Sequence, residues 1–347
     1  MQFDIDEAAC ISQKTRAQRP SYSRPPTDSN RERARDVVSV SIVVPCFNAV
    51  GFISDALTSI RQQSFTDWEC LVVDDCSTDG SAAVIAEIAA QDPRIKPYTL
   101  TVNSGASVAR NIALDAAQGK WLTFLDADDV YEPSRLTRLV ALAEERSADM
   151  AFDDQAISNF PATTQKDRAF YWIDRDIISF DADKFFVFSA KFGRSLNPGY
   201  MKPLFKRSFM VQHRLRYDPQ FRSGQDFLLY ANAFAYKPRC FASSHAGYIY
   251  RRRKGSLSRS ANHLRNHALL SDEIIARHRE RLSRTAFEAL QRRKSYYLGM
   301  ADLHDLLLIL KGHQSIATLR TFQIRPRLAL AAAITVQRRV SSLRSGL

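Results

Sequence analysis

Residues 120–129 read KWLTFLDADD, an apolar run that stops at three carboxylates, Asp126, Asp128 and Asp129. A continuous apolar stretch of this kind predicts a strand buried on both faces. The pattern recurs upstream. WECLVVDD (68–75) predicts a second buried strand ending at Asp74 and Asp75, and VVSVSIVVP (37–45) a third that leads to Asn48. Helical segments lie between them. Ile53, Leu57 and Ile60 share one face of residues 52–63. The turn CSTDGS (76–81) leads into a helix over 82–91, a shorter strand covers 95–101, and NSGASVARN (103–111) opens another helix. This alternation predicts an α/β fold, a mostly parallel sheet flanked by helices on both faces. Open parallel sheets bind ligands beyond the carboxyl ends of their strands. Three such ends here carry polar clusters, so the expected site lies at that rim.

The chain has 347 residues, 45% hydrophobic and 25% charged, enough to bury a substantial core. Its net charge of +12 favours anionic partners: nucleic acid, acidic lipid or a phosphorylated substrate. Cys10, Cys46, Cys70, Cys76 and Cys240 form no CxxC pair and are odd in number. They predict reduced thiols rather than zinc sites or disulfides. The start, MQFDIDEAAC, lacks the basic and apolar regions of a secretory signal. No apolar stretch approaches the ~20 residues of a spanning helix. The expected location is the cytoplasm, free or on a membrane surface.

Three regions are expected. Residues 1–36 are polar, rich in Arg and Pro and without periodicity, and predict a disordered arm. Residues 37–260 form the α/β domain. Residues 261–347 form a helical, basic extension, with HALLSDEIIARHRERL (267–282) and YYLGMADLHDLLLIL (296–310) as helices. The tail 312–347 carries Arg320, Arg325, Arg327, Arg338, Arg339 and Arg344 and no acidic residue. Residues 328–334 beside these arginines suit a helix lying on anionic lipid. A surface helix packed on the catalytic domain is the alternative.

Asp126 and Asp128, one residue apart at a strand end, are expected to point the same way and share a divalent cation, Mg²⁺ or Mn²⁺. Such an ion neutralises a departing diphosphate; a solvated acidic turn is the alternative. Asp75 is placed to accept from a nucleobase imide N–H, with Asp74 in a structural or ribose role, although either residue suits a turn cap. The Gly-containing turn at 103–105 can present N–H groups to an anion. Arg110 then contacts the diphosphate or pairs with an aspartate of the site. Asp226, in SGQDFLLYANAF (223–234), is either the base that takes an acceptor proton or a helix cap. Arg251, Arg252, Arg253, Lys254 and Arg259 surround a Gly-Ser loop and are candidate phosphate contacts, or a solvated basic loop. His263 and His267 are four apart on a predicted helix with no matching ligand elsewhere, which argues against a metal role.

In this order and spacing, SIVVPCFN (41–48), LVVDDCSTDGS (71–81), NSGASVARN (103–111) and WLTFLDADD (121–129) resemble the family 2 glycosyltransferases, which have the GT-A (Rossmann-like) fold. KPLFKRSFM (202–210), GQDFLLY (224–230) and YRRRKGSLSRS (250–260) extend the likeness over roughly residues 39–260. The whole looks most like bacterial exopolysaccharide enzymes of the succinoglycan type. The resemblance implies that Pro45 and Asn48 sit under the nucleotide and that Asp75 meets the base, commonly uracil. It implies a donor site that includes Arg110 and Asp126, a metal motif of Asp126 and Asp128, and Asp226 as the base of an inverting single displacement. A UDP-sugar donor, most commonly UDP-glucose, and a lipid-linked saccharide acceptor follow from it. The chain departs from the family pattern at Gln225, where Glu is usual, and at Cys76, where Gly is usual. The QxxRW motif of processive synthases is absent, which implies one sugar per encounter.

Other function classes fit less well. PCFNAVG after the first strand is not GxGxxG, which argues against a Rossmann dehydrogenase; a nucleotidyltransferase on a similar sheet is the nearer alternative. The positive charge suits nucleic acid, but Asp74, Asp75, Asp126, Asp128 and Asp129 at the sheet mouth would repel phosphates without metal, and no RNA-binding aromatic motif appears. No nucleic-acid partner is expected.

Overall fold

β-Branched and aromatic residues that alternate between two faces build the centre of the molecule. The computed structural model describes residues 22–23, 38–159, 167–193, 195–252 and 261–310. Arg253 and the rest of the basic loop, the tail 312–347, and the N-terminal arm apart from residues 22–23 lie outside them. The strands are β1 (Tyr22–Ser23), β2 (Val40–Cys46), β3 (Trp68–Asp74), β4 (Ile95–Leu100), β5 (Trp121–Phe124), β6 (Val130–Tyr131), β7 (Met150–Asn159), β8 (Asp167–Arg168), β9 (Ile177–Ser179), β10 (Leu204–Lys206) and β11 (Cys240–Arg252). They pair in the order β1-β4-β3-β2-β5-β10-β7-β11-β6, with β8 on β7 and β9 on β11.

The pairs β2–β3, β3–β4, β2–β5 and β7–β11 are parallel. From β2 the chain moves outward through β3 and β4, then returns to place β5 on the other side of β2. The crevice between β2 and β5 is therefore a topological switch point, where ligands of open α/β sheets bind.

The described helices are α1 (Ile53–Arg61), α2 (Ser81–Gln91), α3 (Ala106–Ala116), α4 (Arg135–Glu145), α5 (Ala182–Ser189), α6 (Arg207–Gln212), α7 (Gln225–Ala235), α8 (Ala261–His278) and α9 (Arg284–Leu310), with a 3₁₀ turn at Pro198–Tyr200. Successive strand residues go to opposite cores. Val43, Leu71 and Phe124 face one, and Ile42, Val44 and Val72 the other. On α1 the expected face is fully buried: Ile53, Leu57 and Ile60. Each such side chain contributes about 1.5–3 kcal/mol relative to exposure. Leu270 and Ile274 of α8 and Ala289 and Leu290 of α9 belong to the same core as β5 and α7. No described helix is long and apolar enough to cross a membrane, and none of the described cysteines is bonded to another.

Strand β7 carries Asp153, Asp154 and Gln155 inside the protein. Asp153 survives there because the fully buried Arg135 forms a forked pair with it at 2.9 and 3.0 Å. Asp154 is held by Arg168 at 2.6 Å and by the Phe170 N–H at 2.9 Å.

The turn after β3 places Cys76 at φ 63, a left-handed conformation that glycine adopts freely. A side chain there costs roughly 1–2 kcal/mol. Cys76→Gly is expected to raise stability by about 1 kcal/mol, less than the full strain because glycine also loses more chain entropy. A higher urea midpoint at unchanged slope would show it; a lower midpoint would mean that the turn gains more from the thiol than it loses in strain.

Candidate active site

Strand β5 ends at Phe124, before the carboxylates, and Asp126 to Asp129 lie in a turn closed by the Asp129 N–H on the Asp126 carbonyl at 3.0 Å. Strand alternation therefore does not set their directions, contrary to the expectation from spacing. Each carboxylate has its own surroundings. Asp126 accepts from Arg110 Nη2 on one oxygen and from Lys202 Nζ on the other, both at 2.7 Å. Burial works against its charge, but the Lys202 and Arg110 cations outweigh it and hold the carboxyl well below the usual range. Asp129 is buried and accepts from the Tyr248 hydroxyl at 2.6 Å and the Arg251 N–H at 2.8 Å. Burial, then the charges of Asp128 and Asp126, push its carboxyl well above the ordinary value.

Lys202 is the residue the sequence did not single out. It is buried, and its ammonium lies 2.7 Å from Asp126 and 2.7 Å from Asp226. Burial would strip its proton, yet the two carboxylates raise its pKa above the ordinary lysine value. The second oxygen of Asp226 accepts from the Tyr217 hydroxyl at 2.9 Å. Asp226 is thus no cap: the residue at the N-terminus of α7 is Gly224, at φ 69, and no side chain caps the helix. A lone lysine inside the otherwise apolar run Met201–Leu204 was the available signal, since a buried lysine needs a partner.

The other expected donor residues lie on the same rim. Asp75, buried, receives the N–H groups of Ser104 and Gly105, each at 2.7 Å, so the Gly turn presents its donors to this carboxylate. Asp74 closes its own turn on Ser77, with Oδ2 accepting the Ser77 N–H at 3.1 Å. Asn48, left-handed at φ 47, accepts from the Thr78 N–H at 2.9 Å and follows Pro45 at the end of β2. Arg110, on α3, joins the two halves of the site: besides Asp126 it reaches Gln225 Oε1 at 3.0 Å. Gln225, where the resemblance leads one to expect Glu, is therefore a neutral partner of that guanidinium.

Arg251 is buried behind the acidic turn. It donates to the Asp128 carbonyl at 2.5 Å and to Asp55 at 2.7 Å, which fixes the turn from below. Arg252, at the end of β11, is exposed. Among the described residues no three His, Cys, Asp or Glu side chains are placed to form a closed metal cage. The donor set does fit a hard cation held by one or two carboxylates and completed by diphosphate oxygens and water, the usual manner for Mg²⁺ and Mn²⁺. Asp128 and Asp126 are the residues that would hold it, and Asp126 already pairs with Arg110 and Lys202; Asp128 has interactions of its own as well.

The model of glycosyl transferase family 2 matches residues 41–209. The succinoglycan biosynthesis protein ExoO of Rhizobium meliloti (strain 1021) is 35% identical over 223 residues, 64% of this chain and 63% of ExoO. The Escherichia coli UDP-Glc:alpha-D-GlcNAc-diphosphoundecaprenol beta-1,3-glucosyltransferase WfgD is 34% identical over 120 residues, 35% of this chain and 47% of WfgD. The chain thus spans less than two thirds of the length of either relative. Residues 1–349 of S. aureus TarS, solved with UDP-GlcNAc, superpose with a TM-score of 0.56 at 20% identity, covering 78% of this chain and 73% of that one. The fold shared with TarS is the GT-A fold.

Proposed function

We propose that this chain, which belongs to glycosyl transferase family 2, moves a single sugar from a UDP-sugar, UDP-glucose in the first instance, to a lipid-linked saccharide in exopolysaccharide synthesis, with inversion. The observation that carries this reading is the chain Asp126–Lys202–Asp226, with 2.7 Å at each link. Through it a carboxylate at the donor end of β5 and a carboxylate on α7, a hundred residues later, meet around one ammonium. A direct displacement needs this division: cations and carboxylates on the leaving-group side, and a base on the opposite side for the acceptor hydroxyl. The names of ExoO and WfgD support the pathway and the substrate class.

In this reading Asn48 and Asp75 seat the uridine, and Arg110 and Lys202 stand beside the diphosphate. Asp226 takes the proton of the acceptor hydroxyl as the new bond forms and the nucleotide diphosphate departs. A bound Mg²⁺ or Mn²⁺ would neutralise charge on the departing diphosphate. The test is a screen of nucleotide sugars against lipid-linked saccharides. Turnover of a UDP-sugar, lost with EDTA and restored by Mn²⁺ or Mg²⁺, is the expected result; retention on DNA without sugar turnover would contradict the reading.

The basic tail, outside the described residues, is proposed to hold the enzyme on the anionic inner face of the cell membrane. Deleting residues 320–347 is expected to move the protein from the membrane to the soluble fraction. Unchanged fractionation would remove this part of the proposal.

A further inference from the structure

Residues 201–203, which carry Lys202, belong to no strand or helix. β10 starts only at Leu204, and Pro203 has no N–H with which its ladder could reach further back. The ammonium that meets Asp126 and Asp226 therefore sits on backbone without secondary structure of its own. Buried side chains hold that backbone instead. Gln155 Nε2 donates to the Tyr200 carbonyl at 2.7 Å, the Tyr230 hydroxyl to the Met201 carbonyl at 2.6 Å, and Arg135 Nη2 to the Lys202 carbonyl at 2.5 Å. Three successive carbonyls are thus each held by a buried side chain, from β7, α7 and α4 in turn.

Arg135 reaches further than this one carbonyl. Besides its fork on Asp153, its guanidinium lies over the Tyr131 ring at 4.3 Å and the Tyr248 ring at 5.4 Å. Tyr131 donates its hydroxyl to the Phe124 carbonyl at 2.8 Å, at the end of β5. Tyr248 donates to Asp129 at 2.6 Å, inside the acidic turn. One buried cation therefore touches the backbone of Lys202 on one side and, on the other, the two rings that hold the turn of Asp126. These are the two ends of the 2.7 Å contact between Lys202 and Asp126. The guanidinium has little room to shift: a Cβ on Gly247 would collide with Asp153 and crowd the Arg135 stem.

A buried Arg–Asp pair is a poor device for stability alone. Desolvation offsets most of the attraction, and apolar residues of the same volume are often as stable or more so. Apolar residues cannot, however, donate to a carbonyl in a fixed direction, as a planar guanidinium does. We infer that Arg135, anchored by Asp153, is a positioning residue: it fixes the Lys202 backbone relative to the acidic turn and, with Gln155 and Tyr230, sets where the ammonium stands between Asp126 and Asp226. This role rests on the transfer proposed above and ties the buried polar run of β7 to its site.

Two variants of the full chain test it. Arg135→Lys keeps a cation beside Asp153, but one ammonium cannot fork onto that carboxylate and also reach the Lys202 carbonyl. Arg135→Met combined with Asp153→Leu removes both charges together and is expected to melt close to the unmodified protein. The probe of position is acetic anhydride, which acylates free amines, read by mass spectrometry at Lys202 and at the exposed Lys237. Lys202 is buried and paired, so it is expected to label slowly in the unmodified protein and several-fold faster in both variants, while Lys237 labels at an unchanged rate. Turnover of the UDP-sugar found in the screen is expected to fall about 10²-fold, the cost of an ångström-scale misplacement. Turnover within a few-fold of the original, or unchanged Lys202 labelling, in a variant that melts cooperatively would overturn the role. So would failure of both variants to melt cooperatively, which would make the pair a condition of folding alone. No turnover by the unmodified protein would instead strike the proposed transfer, and the labelling comparison would still report on Lys202.

Discussion

Asp226→Asn is expected to lower sugar transfer by about 10²–10⁴-fold, the usual contribution of a positioned base, while UDP affinity stays near that of the unmodified protein. The substitution keeps the shape of the side chain. Its amide oxygen can still accept from Tyr217 or Lys202, the two donors that hold Asp226 at 2.9 and 2.7 Å. What it removes is the capacity to take a proton. Parallel titrations of UDP and initial rates of transfer check both halves. A transfer rate within a few-fold of the original would place the base elsewhere; a matching loss of UDP affinity would make Asp226 part of the donor site.

Lys202→Met tests a positioning residue and is expected to damage both stability and turnover. It leaves Asp126 with Arg110 alone and Asp226 with Tyr217 alone. Breaking a fully buried pair costs roughly 3–5 kcal/mol. Because Asp126 is 27% exposed and Asp226 18%, a loss of about 2–4 kcal/mol is expected here. The pH dependence separates a charge effect from lost packing. Asp126 is depressed in the folded state, so its share is present above the ordinary carboxylate value of 3.8 and lost as pH falls towards its folded pKa. Lys202 is raised, so its share is present below the ordinary lysine value of 10.5 and lost as pH rises through its folded pKa. The stability gap between the two proteins is therefore expected to be widest between those values and to narrow on the acid side. A gap that does not change with pH would mean that Lys202 acts through its methylenes. Lys202→Arg, which keeps the charge, is expected to recover part of the turnover.

The parallel half of the sheet was legible because its strands are buried on both faces and read as unbroken apolar runs. Val40–Cys46 and Trp68–Asp74 lie almost where the pattern puts them. The other half was hidden by its own polarity. Met150–Asn159 contains Asp153, Asp154 and Gln155, and no local rule announces that Arg135 and Arg168 will meet the two aspartates inside the protein. Cys240–Arg252, the longest described strand, is similarly broken by serines, His245 and Gly247.

The site was legible to the extent that carboxylates at strand ends announce it. Asp75 and Asp126 follow apolar runs and were singled out as candidates by type and position; Asp226, at a helix start, read equally as a cap and owed its expected role to the resemblance. Lys202 was not, because its meaning depends on two carboxylates 76 and 24 residues away. Spacing also misjudged the acidic turn: strand geometry stops at Phe124, and Asp129 turns inward to Tyr248 rather than towards a ligand.

Crystals grown with UDP and Mn²⁺ give the most direct measurement, through the anomalous signal of manganese. A peak against Asp128, with the uridine over Asn48 and Asp75 and the diphosphate between them and Lys202, is the arrangement expected of one shared rim. Manganese or uridine bound on another face of the sheet, away from Asp226, would contradict it.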